Sequence, residues 1–160
     1  MVYAQDFGYN HANCLLDIGF RDGDIYIGRE MYLYEHAPDA VIVEANKCGY
    51  DKDRIMYCDS ANPEKIRMWR DADYTAVGVK KEPGSVLAQI DYLKQSKIYI
   101  HPRCVNTIRE IQQWKWKKDT TTGLYLDVPV EFMDDAMAAL RYSIEEMRGQ
   151  KEPVAIRVNY

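Results

Sequence analysis

The sequence predicts a mixed α/β layer fold, and three observations carry the prediction. The first 35 residues hold three apolar, alternating stretches joined by short turns. The middle of the chain alternates helical and strand patterns. The last strongly patterned segment, residues 134–147, reads as one long amphipathic helix. Three strands, then alternating helices and strands, then a closing helix is an order that buries a sheet between helical layers.

Residues 3–7 and 12–20 read as strands, and "RDGD" after them is a strong turn. Asp24 to Glu35, "DIYIGREMYLYE", alternates apolar and polar residues as a half-buried strand does. These three strands suggest an antiparallel meander. Pro38 opens a helix that runs through Asn46 and is closed by Gly49. "RIMYC" is a short apolar run that stops at Asp59, and Pro63 starts a helix, "PEKIRMWRD". "YTAVGVK" is a strand. "GSVLAQIDYLKQS" is helical, with Val86, Ile90 and Leu93 on one face. "KIYIH" is a short strand, and Val105, Ile108 and Ile111 have helical spacing. "KKDTTTGLYLDVPV" has the turn chemistry of a hairpin. The final helix has an apolar stripe of Met133, Met137, Leu140, Ile144 and Met147. Residues 150–160 read as a tail without a packing role, which leaves 1–149 as the domain.

A chain of 160 residues suits one domain with one full-sized core. No segment approaches the ~18 consecutive apolar residues of a membrane span, and the N-terminus lacks the basic and apolar regions of a signal peptide. Cys14, Cys48, Cys58 and Cys104 are scattered without a CxxC pair, so they read as thiols in a reducing compartment rather than as a zinc site. A net charge of −4 argues against a domain that coats nucleic acid by bulk charge. It leaves room for an enzyme that cuts nucleic acid, which needs a local acidic cluster and basic residues only around it.

Carboxylates recur where apolar patterns end. Asp6 lies in the first strand, Asp59 ends the strand after the first helix, and Asp134 and Asp135 begin the last helix. A buried carboxylate needs a partner, and a divalent cation can serve several at once. Each also has a plainer reading. Asp6 before Phe-Gly suits a turn, Asp59-Ser60 suits the N-cap region of the Pro63 helix, and Asp134 and Asp135 suit a helix start and its dipole. The metal reading gains from all three occurring together.

That order, an acid in the first strand, another ending the fourth and a third in a late helix, resembles the ribonuclease H-like fold. "QDFGY", "CDSANPEKI", "VKKEPGSVLAQIDYLKQSKIYIHPRCVNTIREI" and "AMAALRYSIEEM" are similar to the C-terminal nuclease domain of the phage terminase large subunit. The resemblance implies a ribonuclease H-like mixed central sheet flanked by helices, with an added β-hairpin. It implies a two-metal-ion endonuclease that uses Mg²⁺ or Mn²⁺ to cut concatemeric double-stranded DNA during viral genome packaging. Asp6 and Asp59 match the first two metal ligands. The third position departs from the pattern. The family often reads H-x-x-D-A-L-R-Y, whose Asp falls on Ala138 and whose His falls on Asp135. Asp135, and after it Asp134, stands about one helical turn before Ala138 and can reach the same centre. The departure keeps a second function in view, a catalytically weakened module that docks the packaging motor on DNA or on the portal protein.

Lys80 and Lys81 before the Gly84-Ser85 helix start suit a phosphate, and Lys117 and Lys118 in "WKWKK" are implied DNA contacts beside the family's hairpin. Solvated turn and hairpin residues explain the same lysines. Glu44 reads as part of a solvated helix face, and His11 and His101 read as structural. No G-x-x-x-x-G-K-[ST] motif occurs, so the packaging ATPase is absent from this chain. The resemblance further implies an ATPase domain on a longer chain, portal protein and small terminase subunit as partners, no membrane, and the host cell cytoplasm as the place of action.

Overall fold

The computed structural model describes residues 1–8, 10–80, 82–129 and 134–149. Strands β1 (Val2–Asp6), β2 (Asn13–Arg21) and β3 (Asp24–Leu33) form the expected antiparallel meander. Its second turn is tight because Asp22 and Gly23 both take positive φ, 54° and 83°. A two-residue hairpin whose twist matches its strands requires that conformation. Helix α1 (Pro38–Lys47) leads to β4 (Met56–Asp59), α2 (Pro63–Asp71) and β5 (Ala76–Val79). Helix α3 (Ser85–Gln95), β6 (Ile98–Ile100) and α4 (Val105–Gln113) follow. Strands β7 (Trp116–Lys118) and β8 (Tyr125–Pro129) make the separate hairpin, and α5 (Asp135–Gly149) closes the domain. The expected tail, 150–160, and Met133 of the expected apolar stripe lie outside the described residues.

The main sheet runs β5-β4-β1-β2-β3-β6. Strands β4 and β5 are parallel to β1, and β6 is parallel to β3. Alternation along the strands sends side chains to two apolar layers. Tyr3, Leu15 and Met31 pack against Val41 and Ile42 of α1 and against Ile66 and Trp69 of α2. Ala4, Cys14, Leu16, Ile18 and Ile27 face Met137, Leu140 and Ile144 of α5. Helix α5 is more enclosed than an amphipathic surface helix. Ala136, Ala138, Ala139, Tyr142 and Ser143 are buried as well, because the helix lies against the sheet and is covered by α3 and α4.

The apolar spacing misplaces two helix faces. In α3, Ile90 and Leu93 are buried but Val86 is 37% exposed. In α4, Val105 is 56% exposed, and the enclosed side is Cys104, Thr107 and Glu110. Polar residues can turn inward there because hydrogen-bond partners meet them, as described below. Cys14, Cys58 and Cys104 are buried free thiols, and Cys48 is exposed. No helix among the described residues is long and apolar enough to cross a membrane.

Candidate metal centre

Asp6 and Asp59 end two adjacent parallel strands. Gln5 of β1 lies opposite Cys58 of β4, so the next residue on each strand is the acid. Alternation sends both towards α5: Ala4, two residues before Asp6, packs on α5, and Tyr57, two before Asp59, packs against Ala138 and Tyr142. Asp6 is buried, and the Tyr142 hydroxyl donates a 3.2 Å hydrogen bond to its Oδ1. Burial pushes the Asp6 carboxyl from 3.8 up to about 6. The negative charges of Asp135 and Asp59 push the same way, while His11 and Tyr142 oppose them.

The loop between β1 and β2 adds a residue to this centre. A Cβ on Gly8 would lie 2.2 Å from the carbonyl oxygen of Ala12, so glycine is needed for the loop to fold back on itself. Below it, Gln5 Nε2 donates a short hydrogen bond to Asn13 Oδ1, tying the two strands together where the loop leaves and returns. His11 is thereby carried over the end of β1, and its Nδ1 lies 2.5 Å from Asp135 Oδ1. One ligand atom from each of Asp6, His11 and Asp135 lies within 4.8 Å of the others. His11, read as structural from the sequence, sits beside the acidic cluster. An isolated loop histidine has no partner at fixed spacing, so the sequence offers no signal for it beyond the nearby Gly8.

The remaining candidates distribute as follows. Asp59 is half-buried and its Oδ1 accepts the Ala61 N–H at 2.9 Å, so it also shapes the turn into α2. Asp134 precedes α5, is half-buried, and lies outside the cluster of Asp6, His11 and Asp135; its backbone carbonyl accepts the Ala138 N–H at 2.7 Å. Ala138 is buried against Val79 and Tyr142. Lys80 is exposed immediately after Val79, the residue paired with Asp59 across β4 and β5. Lys117 and Lys118 are exposed on β7, whereas Lys81 lies outside the described residues. Glu44 is on α1 and pairs with Lys47 at 3.2 Å, a solvated helix pair.

Two further acids beside the centre have no counterpart in the sequence reading. Glu110 of α4 is 1% exposed, and burial pushes its carboxyl from 4.5 up to about 7. Glu30 of β3 accepts hydrogen bonds from the start of α4. Both hide in unremarkable patterns, one inside a helix and one inside an alternating strand.

A meander extended by parallel strands on both sides, β4 and β5 on one and β6 on the other, with acids at the carboxyl ends of β1 and β4 and a third on the closing helix, fits the ribonuclease H-like class. The family description "Terminase RNAseH like domain" matches residues 6–146, and the chain belongs to that family. It is 29% identical over 149 residues to the PBSX phage terminase large subunit of Bacillus subtilis (strain 168). That match spans 89% of this chain and 34% of the relative, so the chain covers about a third of the relative's length. Among solved structures, the large terminase (g2p) nuclease domain of bacteriophage SPP1, with bound Mn, superimposes with a TM-score of 0.82 at 22% identity, over 91% of this chain and 85% of that one. The P22 large terminase nuclease domain superimposes with a TM-score of 0.70 at 16% identity, over 92% and 80%.

Proposed function

We propose that this domain is a metal-dependent endonuclease that cuts concatemeric double-stranded DNA during viral genome packaging. The observation that carries the proposal is the convergence of Asp6, His11 and Asp135 within 4.8 Å, beside Asp59 on the neighbouring strand. The donor set fits a divalent cation: carboxylate oxygens suit Mg²⁺ and Mn²⁺, and an imidazole favours Mn²⁺ over Mg²⁺. Asp6, His11 and Asp135 would hold one ion, and Asp6 with Asp59 a second, with Asp134 the reserve ligand at the helix start. Two such ions supply an activated water and charge stabilisation of the leaving oxygen of a phosphodiester.

The chain's own residues do the rest. Tyr142 orients the Asp6 carboxylate through its hydroxyl. His11, whose side chain is 59% exposed, lies on the open side of the centre, from which a phosphodiester would approach. Lys80, Lys81, Lys117 and Lys118 would neutralise backbone phosphates, which positions DNA without reading its sequence. With a net charge of −4, weak binding is expected, and contacts limited to backbone phosphates would leave cutting with little sequence preference. An ATPase domain on the full-length chain, the portal protein and the small terminase subunit complete the packaging machine, acting in the host cytoplasm. The reading of a weakened docking module rests on Ala138 alone, and the Asp135 carboxylate one turn earlier weighs against it. Plasmid nicking in Mn²⁺ tests the proposal. The native domain is expected to nick and Asp59→Ala to be inert; equal nicking by both would contradict it, and an inert native domain revived by Ala138→Asp would put the docking module in its place.

A further inference from the structure

We infer that Glu110 is a positioning residue for the metal-binding end of α5, the last link of a hydrogen-bonded chain that starts at Glu30 in the sheet. The inference rests on the metal-centre reading above. The first N–H groups of a helix have no partner within it. In α5 those of Ala136 and Met137 donate to Glu110 Oε2, at 2.7 and 3.1 Å. Glu110 thus caps α5 from a different helix. Its other oxygen, Oε1, accepts the Tyr32 hydroxyl at 2.6 Å, and the same hydroxyl oxygen lies 3.1 Å from Asp135 Oδ2. A tyrosine has one hydroxyl proton; the shorter contact, to Glu110, takes it, and the hydroxyl stands between the two carboxylates. Glu110 therefore borders Asp135 through the two backbone groups that follow it and through one of its carboxylate oxygens.

Helix α4 is anchored in the same manner. Glu30 Oε1 accepts the Asn106 N–H and Nδ2 at 2.9 and 3.0 Å. Its Oε2 accepts the Thr107 N–H and Oγ1 at 2.8 and 2.7 Å. The order is β3, then α4, then α5, then Asp135. A cap supplied by α5 itself would satisfy the same N–H groups, but it would fix the helix only to itself. A cap from α4, itself held by β3, fixes the start of α5 to the sheet that carries Asp6. Metal ligands from separate elements must be held to within about 0.5 Å of their working geometry, and this chain links the elements that bear Asp6 and Asp135.

The test measures Mn²⁺ binding by calorimetry and the melting temperature on the 160-residue chain. The variants are Glu110→Ala, Glu110→Gln, Tyr32→Phe and Asp6→Asn. Glu110→Ala is expected to weaken Mn²⁺ binding by about 10–100-fold, the usual effect of removing an outer partner of a metal ligand. Glu110→Gln is expected to recover most of it: its amide oxygen accepts both N–H groups, and its NH₂ donates to Tyr32 while the Tyr32 proton goes to Asp135. A purely structural Glu110 would lower the melting temperature of the alanine variant and leave its Mn²⁺ affinity unchanged, and that result overturns the inference. If Glu110→Ala does not fold, Tyr32→Phe decides. It keeps the cap and removes only the bridging hydroxyl, so a several-fold loss of affinity supports the inference and native affinity overturns it. Asp6→Asn separates the two levels. If it also binds Mn²⁺ like the native chain, the metal-centre reading has failed; if it alone loses binding, only the positioning role has.

Discussion

The two faces of the sheet treat their acids differently: Asp17 on one is half-buried, and Asp6 and Asp135 on the other are buried. On the face covered by α1 and α2, Asp17 lies 2.9 Å from Arg54 and 3.8 Å from Arg29. Both guanidinium groups are held by aromatic rings, Arg54 over Tyr3 at 4.7 Å and Arg29 over Tyr50 at 3.7 Å. On the face covered by α5, the partners of Asp6 and Asp135 are tyrosine hydroxyls and a histidine. The first face supplies its acid with permanent cations. The second gathers acids and gives them hydrogen bonds that orient them, and among the described residues no lysine or arginine pairs with Asp6 or Asp135. An acid with a structural task comes with its counter-charge; under the proposed function, the acids beside α5 are metal ligands.

Exchanging carboxylates for amides on the two faces should break this contrast most visibly. Asp6→Asn is expected to slow plasmid nicking about a thousandfold, since metal ions contribute several kcal/mol of charge stabilisation, and to leave the fold intact. Asp17→Asn is expected to keep nicking near the native rate while costing on the order of 1–3 kcal/mol in urea unfolding. Similar losses of activity in both variants would erase the distinction.

Metal should stabilise the chain through the α5 face. At an Mn²⁺ concentration a hundred times the dissociation constant, binding to the native state adds about 2.7 kcal/mol. A thermal melt should show the rise for Asp17→Asn as for the native chain, and not for Asp6→Asn. No rise in the native chain would count against a centre.

A smaller effect follows from pH. The folded-state carboxyls of Asp6 and Glu110 stand at about 6 and about 7, above their ordinary 3.8 and 4.5. The folded state therefore holds these protons more tightly than the unfolded chain. Their contribution to stability is full below about pH 4 and is lost as pH rises through 6 to 7. The metal-free chain should melt at a higher temperature at pH 5.5 than at pH 7.5, and saturating Mn²⁺ should shrink the difference, because protons and metal compete for Asp6. A metal-free melting temperature that falls on acidification over this range would show that burial and neighbouring charge do not raise these carboxyls as described.

Much of the architecture was legible because its signals are local. The Asp22-Gly23 turn, Pro38 and Pro63 at helix starts, and strand alternation each specify a neighbour or a face. The ends of β1 and β4 were legible in the same way, since a carboxylate interrupts an apolar run at each. What stayed hidden depends on residues far apart in the chain. His11 meets Asp135 across 124 positions, and Glu30 meets Thr107 across 77. The spacing of Val105, Ile108 and Ile111 pointed to one face of α4. The face that turned inward, Cys104, Thr107 and Glu110, did so because Glu30 and the start of α5 supply partners that no local pattern announces. Ala138 was legible as a departure from the family pattern, but the Asp135 side chain beside His11 needed the fold to be seen.

The location of bound metal tests the central claim most directly. Crystals of the chain soaked in Mn²⁺ and measured for anomalous scattering should show a peak bonded to Asp6, His11 and Asp135. A second peak is expected between Asp6 and Asp59. Mn²⁺ found elsewhere, or a centre that stays without a peak at saturating Mn²⁺, would contradict the account.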